Sequence, residues 1–426
     1  MNVGFFVEDT GYKNIHIENP EQGNPGIGGT WYEFALVADS LSRKQKDWNI
    51  YLYHYNLNFY PESCRIVQIE DIQNLFEQCG KDQIDILIYK AGKGNAWYTY
   101  LNSIGIKCLA WAHTFIGYEE RKKIENSPWV LRLICVGREQ YDNYIDEDII
   151  EKSTCIYNMV CKSDSLYREK CEKHTVTYMG ALIPVKSFHK LARVWKKVLK
   201  NVPDAELNVI GTGNLYNKNS KLGTYGIAES DYEKSFIKYL IDRNGKIVKS
   251  VNFCGILDEN KKDLILETAV GVVNPSTKSE TFCISAVEFE QYGVPVCSGR
   301  KNGLLDTVIH KKTGLLSMTS WGLARDITRL LKDRALNEYY GNCAYLYSES
   351  FSAENMIKLW IQCIRDASDG RRNVYVRPER NWIYNGKIFR YAVRFIRFDL
   401  GFRFFPSCGK MKYILKKMIK RIVHKV

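Results

Sequence analysis

Two glutamates eight residues apart, Glu280 and Glu288, mark the part of the chain whose residue types most favour chemistry. An apolar run ends at Asn274, a short loop through Pro275, Ser276 and Lys278 presents Glu280, and a helix is expected from Cys283. The first N–H groups of a helix lack intrahelical partners and carry a partial positive charge, so Thr281, Phe282 and Cys283 would face an anion such as a phosphate. Glu280 then lies beside that anion, and Glu288, about two turns along the helix, projects toward the same side. An ionised carboxylate accepts hydrogen bonds on both oxygens, which suits the paired hydroxyls of a sugar or a ribose.

The elements that must hold these groups form two alternating series. Short apolar strands are expected at residues 3–7, 48–55, 84–89, 107–113, 132–136 and 154–157, with a helix near 30–42 after the turn Gly26, Ile27, Gly28, Gly29. A second series has strands at 175–182, 206–210, 251–255, 270–274 and 294–298, and helices at 186–200, 258–269 and 283–292. Phe188, Leu191, Ala192, Trp195, Val198 and Leu199 recur at helical spacing, giving one buried face. This pattern predicts an α/β chain of two doubly wound, Rossmann-like domains. Open sheets of this kind bind ligands at the carboxyl ends of their strands, so the cleft between the domains is the expected site.

Around the glutamates, the chain resembles the retaining glycosyltransferases of family-4 type, with the GT-B fold. The resemblance rests on Glu280 and Glu288 in the E-x7-E frame, followed by Gly293, Val294, Pro295 and Val296. Tyr178 to Leu182 with Lys186 is similar to the family segment whose Arg and Lys hold the donor diphosphate; Lys186 matches, whereas Ala181 stands at the Arg position, so Arg138 or Lys278 would have to assist. Gly28 and Gly29 resemble the glycine loop near the donor, His113 the histidine that reaches the donor sugar, and Asn158 an asparagine near the hinge. Gly255 and Ile256 match the strand end whose backbone frames the base, and Asp306 stands where the family usually has Glu.

The resemblance implies a retaining, metal-independent hexosyltransferase that uses a nucleoside-diphosphate sugar as substrate, with no cofactor. Glu280, Lys186 and His113 would act at the reacting centre; Thr281, Phe282 and Cys283 would stabilise the departing phosphate, and Glu288 would bind the ribose. A GT-B sugar-nucleotide epimerase and a nucleotide-sugar-binding pseudoenzyme are the alternatives. No D-x-D pair lies in a suitable loop, and neither the seven His nor the thirteen Cys show metal spacing. The cysteines read as reduced, buried small hydrophobes.

The chain has 426 residues, 45% hydrophobic, with a formal net charge of +13, which excludes a disordered protein. Residues 371–426 contain 16 Lys and Arg against Glu379 and Asp399, a net of +14, so the remainder is nearly neutral. In that tail, aromatic and aliphatic residues alternate with basic ones, which predicts an amphipathic helical segment on an anionic membrane surface through 387–426, with no nucleic acid partner expected. The expected organisation is 1–165 acceptor-side domain, 174–352 nucleotide-sugar domain, 353–368 closing helix returning to the first domain, and 371–426 tail. The expected setting is the cytoplasm, peripherally on the inner face of the cell membrane, with a lipid-linked glycan as acceptor in polysaccharide or lipopolysaccharide synthesis.

Overall fold

Among the described residues, thirteen strands form two separate sheets, parallel throughout. The computed structural model describes residues 1–161, 167, 173–214, 221–258, 261–276 and 280–423. The first sheet has β1 (Asn2–Val7), β2 (Asn49–His54), β3 (Arg65–Gln68), β4 (Ile86–Lys90), β5 (Cys108–Ala112), β6 (Val130–Cys135) and β7 (Ser153–Cys155), in the order β3-β2-β1-β4-β5-β6-β7. The second has β8 (Thr175–Met179), β9 (Glu206–Ile210), β10 (Val251–Gly255), β11 (Val270–Val273), β12 (Val296–Gly299) and β13 (Gly314–Ser317), in the order β10-β9-β8-β11-β12-β13. These are two doubly wound domains, and the strand order reverses beside β1 and β4 in one and beside β8 and β11 in the other. Those reversals are where such sheets leave a crevice.

The strands formed where apolar runs predict them, because a parallel sheet covered on both faces buries nearly every side chain. Two edge strands were not expected. β3 is largely exposed, so it carries no apolar run, and β13 is only four residues long. Helix Gly29–Lys44 agrees with its expected span. Helix Phe188–Asn201 starts after Ser187, whose φ of +57° is left-handed and cannot continue a right-handed helix. The helix expected at 283–292 spans Ile284–Glu290, its start set by Cys283, whose φ of +86° is likewise left-handed. The helix expected at 258–269 is described over Lys261–Leu266.

Helix Ala353–Ser368 crosses back to the first domain, where Met356, Ile357, Trp360 and Ile364 join its core. Trp360 meets Trp111 edge-on, 4.6 Å between ring centroids. The tail then lies along the same domain as helix Lys387–Arg394, a wider turn Phe395–Asp399 and helix Cys408–Val423.

Four basic residues in the first half of the tail are ion-paired instead of forming a free face. Lys387 is buried between Glu139 (2.9 Å) and Asp142 (2.7 Å), Arg390 pairs with Asp146 (2.8 Å), and Arg397 and Arg403 pair with Asp148 (2.7 and 3.0 Å). The near-neutral count of residues 1–370 conceals this acidic stretch between Glu139 and Glu151. Apolar side chains point outward instead, Phe389, Phe402 and Phe404 among them, with Leu415, Met418 and Ile419 on the last helix. No helix among the described residues is long and apolar enough to cross a membrane.

Candidate active site

The carboxyl ends of β1, β4 and β5 face those of β8 and β11 across an open cleft of about 830 Å³. On the second domain, Glu280 follows β11. Its Oε2 accepts hydrogen bonds from Lys186 Nζ and Asn274 Nδ2, both at 2.7 Å. Lys186 ends the short turn Pro184–Lys186 after β8. Glu288, on helix Ile284–Glu290, accepts from Lys261 Nζ at 2.5 Å. Each member of the spaced glutamate pair therefore holds a lysine.

The loop after Glu280 is wedged between the domains. Thr281 Oγ1 donates to the His113 carbonyl at 2.6 Å. Gly137 from the first domain and Gly303 from the second flank it so closely that a Cβ on either would lie 2.3 Å from Thr281 O. Phe282 turns its ring into the first domain's core, near Tyr157 and Phe351 at 5.7 and 5.2 Å between centroids. Only its backbone is available to a ligand, and the same is true of the neighbouring amides of Thr281 and Cys283.

On the first domain, His113 follows β5 with its ring on Phe34 and Trp111. It is 8% exposed, and its Nε2 has no partner among the described residues. Burial, reinforced by the charge of Lys90, pushes its pKa down to about 3, so the imidazole is neutral at neutral pH. Asn158, 5% exposed, likewise leaves Oδ1 without a partner beside the cleft. Two buried, unpartnered polar atoms on one wall are what a site awaiting a polar ligand presents.

Gly28 and Gly29 line the cleft at the start of helix Gly29–Lys44. The preceding turn is held by Asn24, whose Oδ1 accepts from the Gly26 and Ile27 amides at 2.9 and 2.8 Å. A Cβ on Gly26 would lie 2.4 Å from Ile256 Cγ2, and one on Gly29 would lie 3.0 Å from Ile284 Cδ1. Two of these glycines thus let the domains approach one another. Gly255 and Ile256 sit outside the main cleft, next to this turn.

The structure does not bring Arg138 to the site. Its Nε bonds Asp142 at 2.9 Å and its guanidinium also reaches the Val376 carbonyl, away from the cleft lining. Lys278 lies outside the described residues. Asp306 is fully buried behind the cleft, where its Oδ2 accepts from the Glu139 amide at 2.9 Å; burial and the Glu139 charge hold its carboxyl well above the usual carboxylate range. Ala181 is buried at the cleft wall. Lys90, Asn274 and Lys261 were not singled out from sequence. Lys90 was accessible to the criterion that found His113, since it closes an apolar strand at its carboxyl end.

Among the described residues no cluster of His, Cys, Asp or Glu could hold a metal ion. The charged groups that the described residues bring to the cleft are lysines and carboxylates. Residues 166–347 match the family model of glycosyl transferases group 1. That match falls on the second domain and the segments beside it. The chain is 26% identical over 246 residues to an uncharacterized glycosyltransferase of Methanocaldococcus jannaschii, covering 57% of this chain and 59% of that protein. The chain thus spans little more than half the length of that curated relative. In structure it is similar to sucrose-phosphate synthase of Thermosynechococcus elongatus, with a TM-score of 0.64, 16% identity, and coverage of 87% of this chain and 100% of that one. It is also similar to Anabaena HepE in complex with UDP and glucose, with a TM-score of 0.62, 14% identity, and coverage of 86% and 100%. These likenesses show the GT-B fold.

Proposed function

We propose that the chain transfers a sugar from a nucleoside-diphosphate sugar to a glycan acceptor with retention of configuration. The observation that carries this reading is the Lys186–Glu280 pair facing the unpartnered Nε2 of His113 across the cleft. The second domain, 174–352, takes the donor, and the first, 1–165, takes the acceptor. When a donor enters, Lys186 exchanges Glu280 for the diphosphate, and Glu280 is released to accept hydrogen bonds from sugar hydroxyls.

The bond from the anomeric carbon to the diphosphate oxygen breaks while the acceptor oxygen bonds to that carbon on the same face. The acceptor proton passes to the departing phosphate oxygen. Lys186 and the backbone of Thr281–Cys283 offset the charge that develops there, the kind of preorganised electrostatics that lowers a transition state. His113, kept neutral, orients the sugar, and Glu288 binds the ribose after exchanging Lys261. HepE was solved with UDP and glucose, so UDP-sugars are the first donors to assay.

In nucleotide-release assays, Glu280→Ala and Lys186→Ala each lower turnover by about 10²-fold or more, the cost of removing one such electrostatic group. Unchanged turnover in both variants would sink the assignment.

The acceptor is proposed to be lipid-linked, in polysaccharide or lipopolysaccharide synthesis at the cytoplasmic face of a membrane. Support comes from Leu415, Met418 and Ile419, which are exposed beside Lys416 and Lys420 on helix Cys408–Val423. Apolar groups and lysines together on one exposed helix suit an anionic lipid interface.

A further inference from the structure

We propose that Lys90 is the cleft's second phosphate-binding cation, reaching from the first domain the diphosphate or phosphate group that Lys186 meets from the second. The inference rests on the donor reading above and adds to it a residue that the spaced motifs do not contain.

The placement comes from strand alternation. In β4, Ile86 and Ile88 point into the core that holds helix Gly29–Lys44, whereas Leu87 and Tyr89 point to the opposite face. Lys90 is next in register and falls on the helix side, as do Trp111 of the adjacent strand β5 and His113 just after it. Lys90 also stands at the end of β4, beside β1, where the first sheet reverses its strand order. The following loop is anchored rather than loose, because Glu120 Oε1 accepts from the Gly92 and Lys93 amides at 3.3 and 3.0 Å and from the Tyr98 hydroxyl at 2.5 Å.

The charge balance then singles Lys90 out. Among the described residues, the charged side chains lining the cleft are Glu8, Lys90, Lys186, Glu280 and Glu288. Glu280 holds Lys186 at 2.7 Å, Glu288 holds Lys261 at 2.5 Å, and Glu8 is paired with Lys93 on the other face of the sheet. Lys90 has no ion pair or hydrogen bond among the described residues. It lies next to His113, whose buried Nε2 also lacks a partner. An uncompensated ammonium beside a buried open ring nitrogen is a ready site for an anion, and a lysine serves phosphate as a compact point charge.

The need for it is equally local. No arginine lines the cleft among the described residues, and Arg138 is held elsewhere by Asp142. A diphosphate brings more negative charge than Lys186 alone offsets. The phosphate could belong to the donor or to a lipid diphosphate carrying the acceptor.

The test uses the full chain and its Lys90→Met, Lys90→Arg and Lys186→Met variants. Inorganic pyrophosphate is titrated first by calorimetry, so the outcome does not depend on which nucleotide is correct. Lys90→Met is expected to raise the dissociation constant at least tenfold and Lys90→Arg to restore most of it, with unchanged melting temperatures establishing that both fold. UDP titration then assigns the source: a comparable loss places the donor diphosphate at Lys90. An unchanged UDP affinity, with a tenfold rise in KM for a polyprenyl-diphosphate-linked glycan but not for the same glycan as an octyl glycoside, places the acceptor phosphate there. Equal pyrophosphate affinity in wild type and Lys90→Met would overturn the proposal, even if Glu280→Ala and Lys186→Ala had already established the transferase.

Discussion

Glu33 shows how far burial alone can set the chemistry of one side chain. It lies wholly buried in helix Gly29–Lys44, its Oε2 accepts the Met159 amide at 3.1 Å, and its Oε1 has no partner among the described residues. Burial, with a smaller contribution from the charge of Glu288, holds its carboxyl well above the usual range. The folded chain therefore keeps a proton that the unfolded chain releases. Its stabilisation is complete below the unfolded pKa of about 4.3 and declines by about 1.4 kcal/mol per pH unit until the raised folded pKa is passed. Glu33→Gln removes that dependence while its amide oxygen keeps the Met159 bond. Urea denaturation should show the variant gaining on wild type from pH 5 to pH 8, and parallel stability curves would refute the assignment. His113 has the opposite sign, losing stability as pH falls from about 6.5 toward 3, but it is common to both proteins and cancels in the comparison.

At the level of elements, the loop after β11 depends on two glycines outside it. Gly137 precedes helix Arg138–Asp142 in the first domain, and a Cβ there would meet Thr281 O at 2.3 Å and Asp306 Oδ2 at 2.9 Å. Backbone oxygen cannot yield as a flexible side chain can, so Gly137→Ala must push the Thr281–Cys283 backbone or separate the domains. Turnover should fall at least tenfold while circular dichroism at 25 °C stays native; full activity would show that the loop's position is not critical. Gly137 itself was not legible, because its partner lies 144 residues along the chain and only the assembled cleft brings them together. Glu280 and His113 were legible because each follows an apolar strand that ends at the cleft, and strand ends follow from local pattern; Glu288 was legible through its eight-residue spacing from Glu280. Arg138 was misplaced for the converse reason: its charge is visible in sequence, but the Asp142 carboxylate that claims it one turn later is a local competitor that charge alone does not rank. Cys283 sets the start of its helix through a left-handed backbone angle that its residue type does not announce.

For the molecule as a whole, the tail is as much a brace as a surface. The acids between Glu139 and Glu151 hold Lys387, Arg390, Arg397 and Arg403, while Arg380 reaches Tyr347 at 3.0 Å and Asn381 spans from Glu139 at 2.9 Å to the Leu305 carbonyl at 3.4 Å. Residues 380–387 therefore touch both domains behind the cleft. Lys387 is the centre of this brace, 1% exposed between two carboxylates that are themselves buried. Removing one partner of such a buried cluster leaves uncompensated charge and costs about 3–5 kcal/mol, whereas an exposed pair contributes little. Lys387→Met should therefore lower unfolding stability by about that amount in guanidinium titrations, and Lys417→Met, whose partner Glu119 lies 3.8 Å away in solvent, should not shift the midpoint measurably. A smaller loss for Lys387→Met than for Lys417→Met would show that the tail is held by its apolar contacts instead. The same reasoning governs how its membrane role must be probed. Cutting the chain at Gly370 would strip counter-ions from Glu139, Asp142, Asp146 and Asp148 and confound binding with unfolding. Exchanging the exposed Leu415, Met418 and Ile419 together for serine leaves those pairs intact, so liposome flotation on vesicles with 30% anionic lipid should fall at least fivefold at an unchanged melting temperature. Undiminished flotation would exclude this helix as the lipid contact.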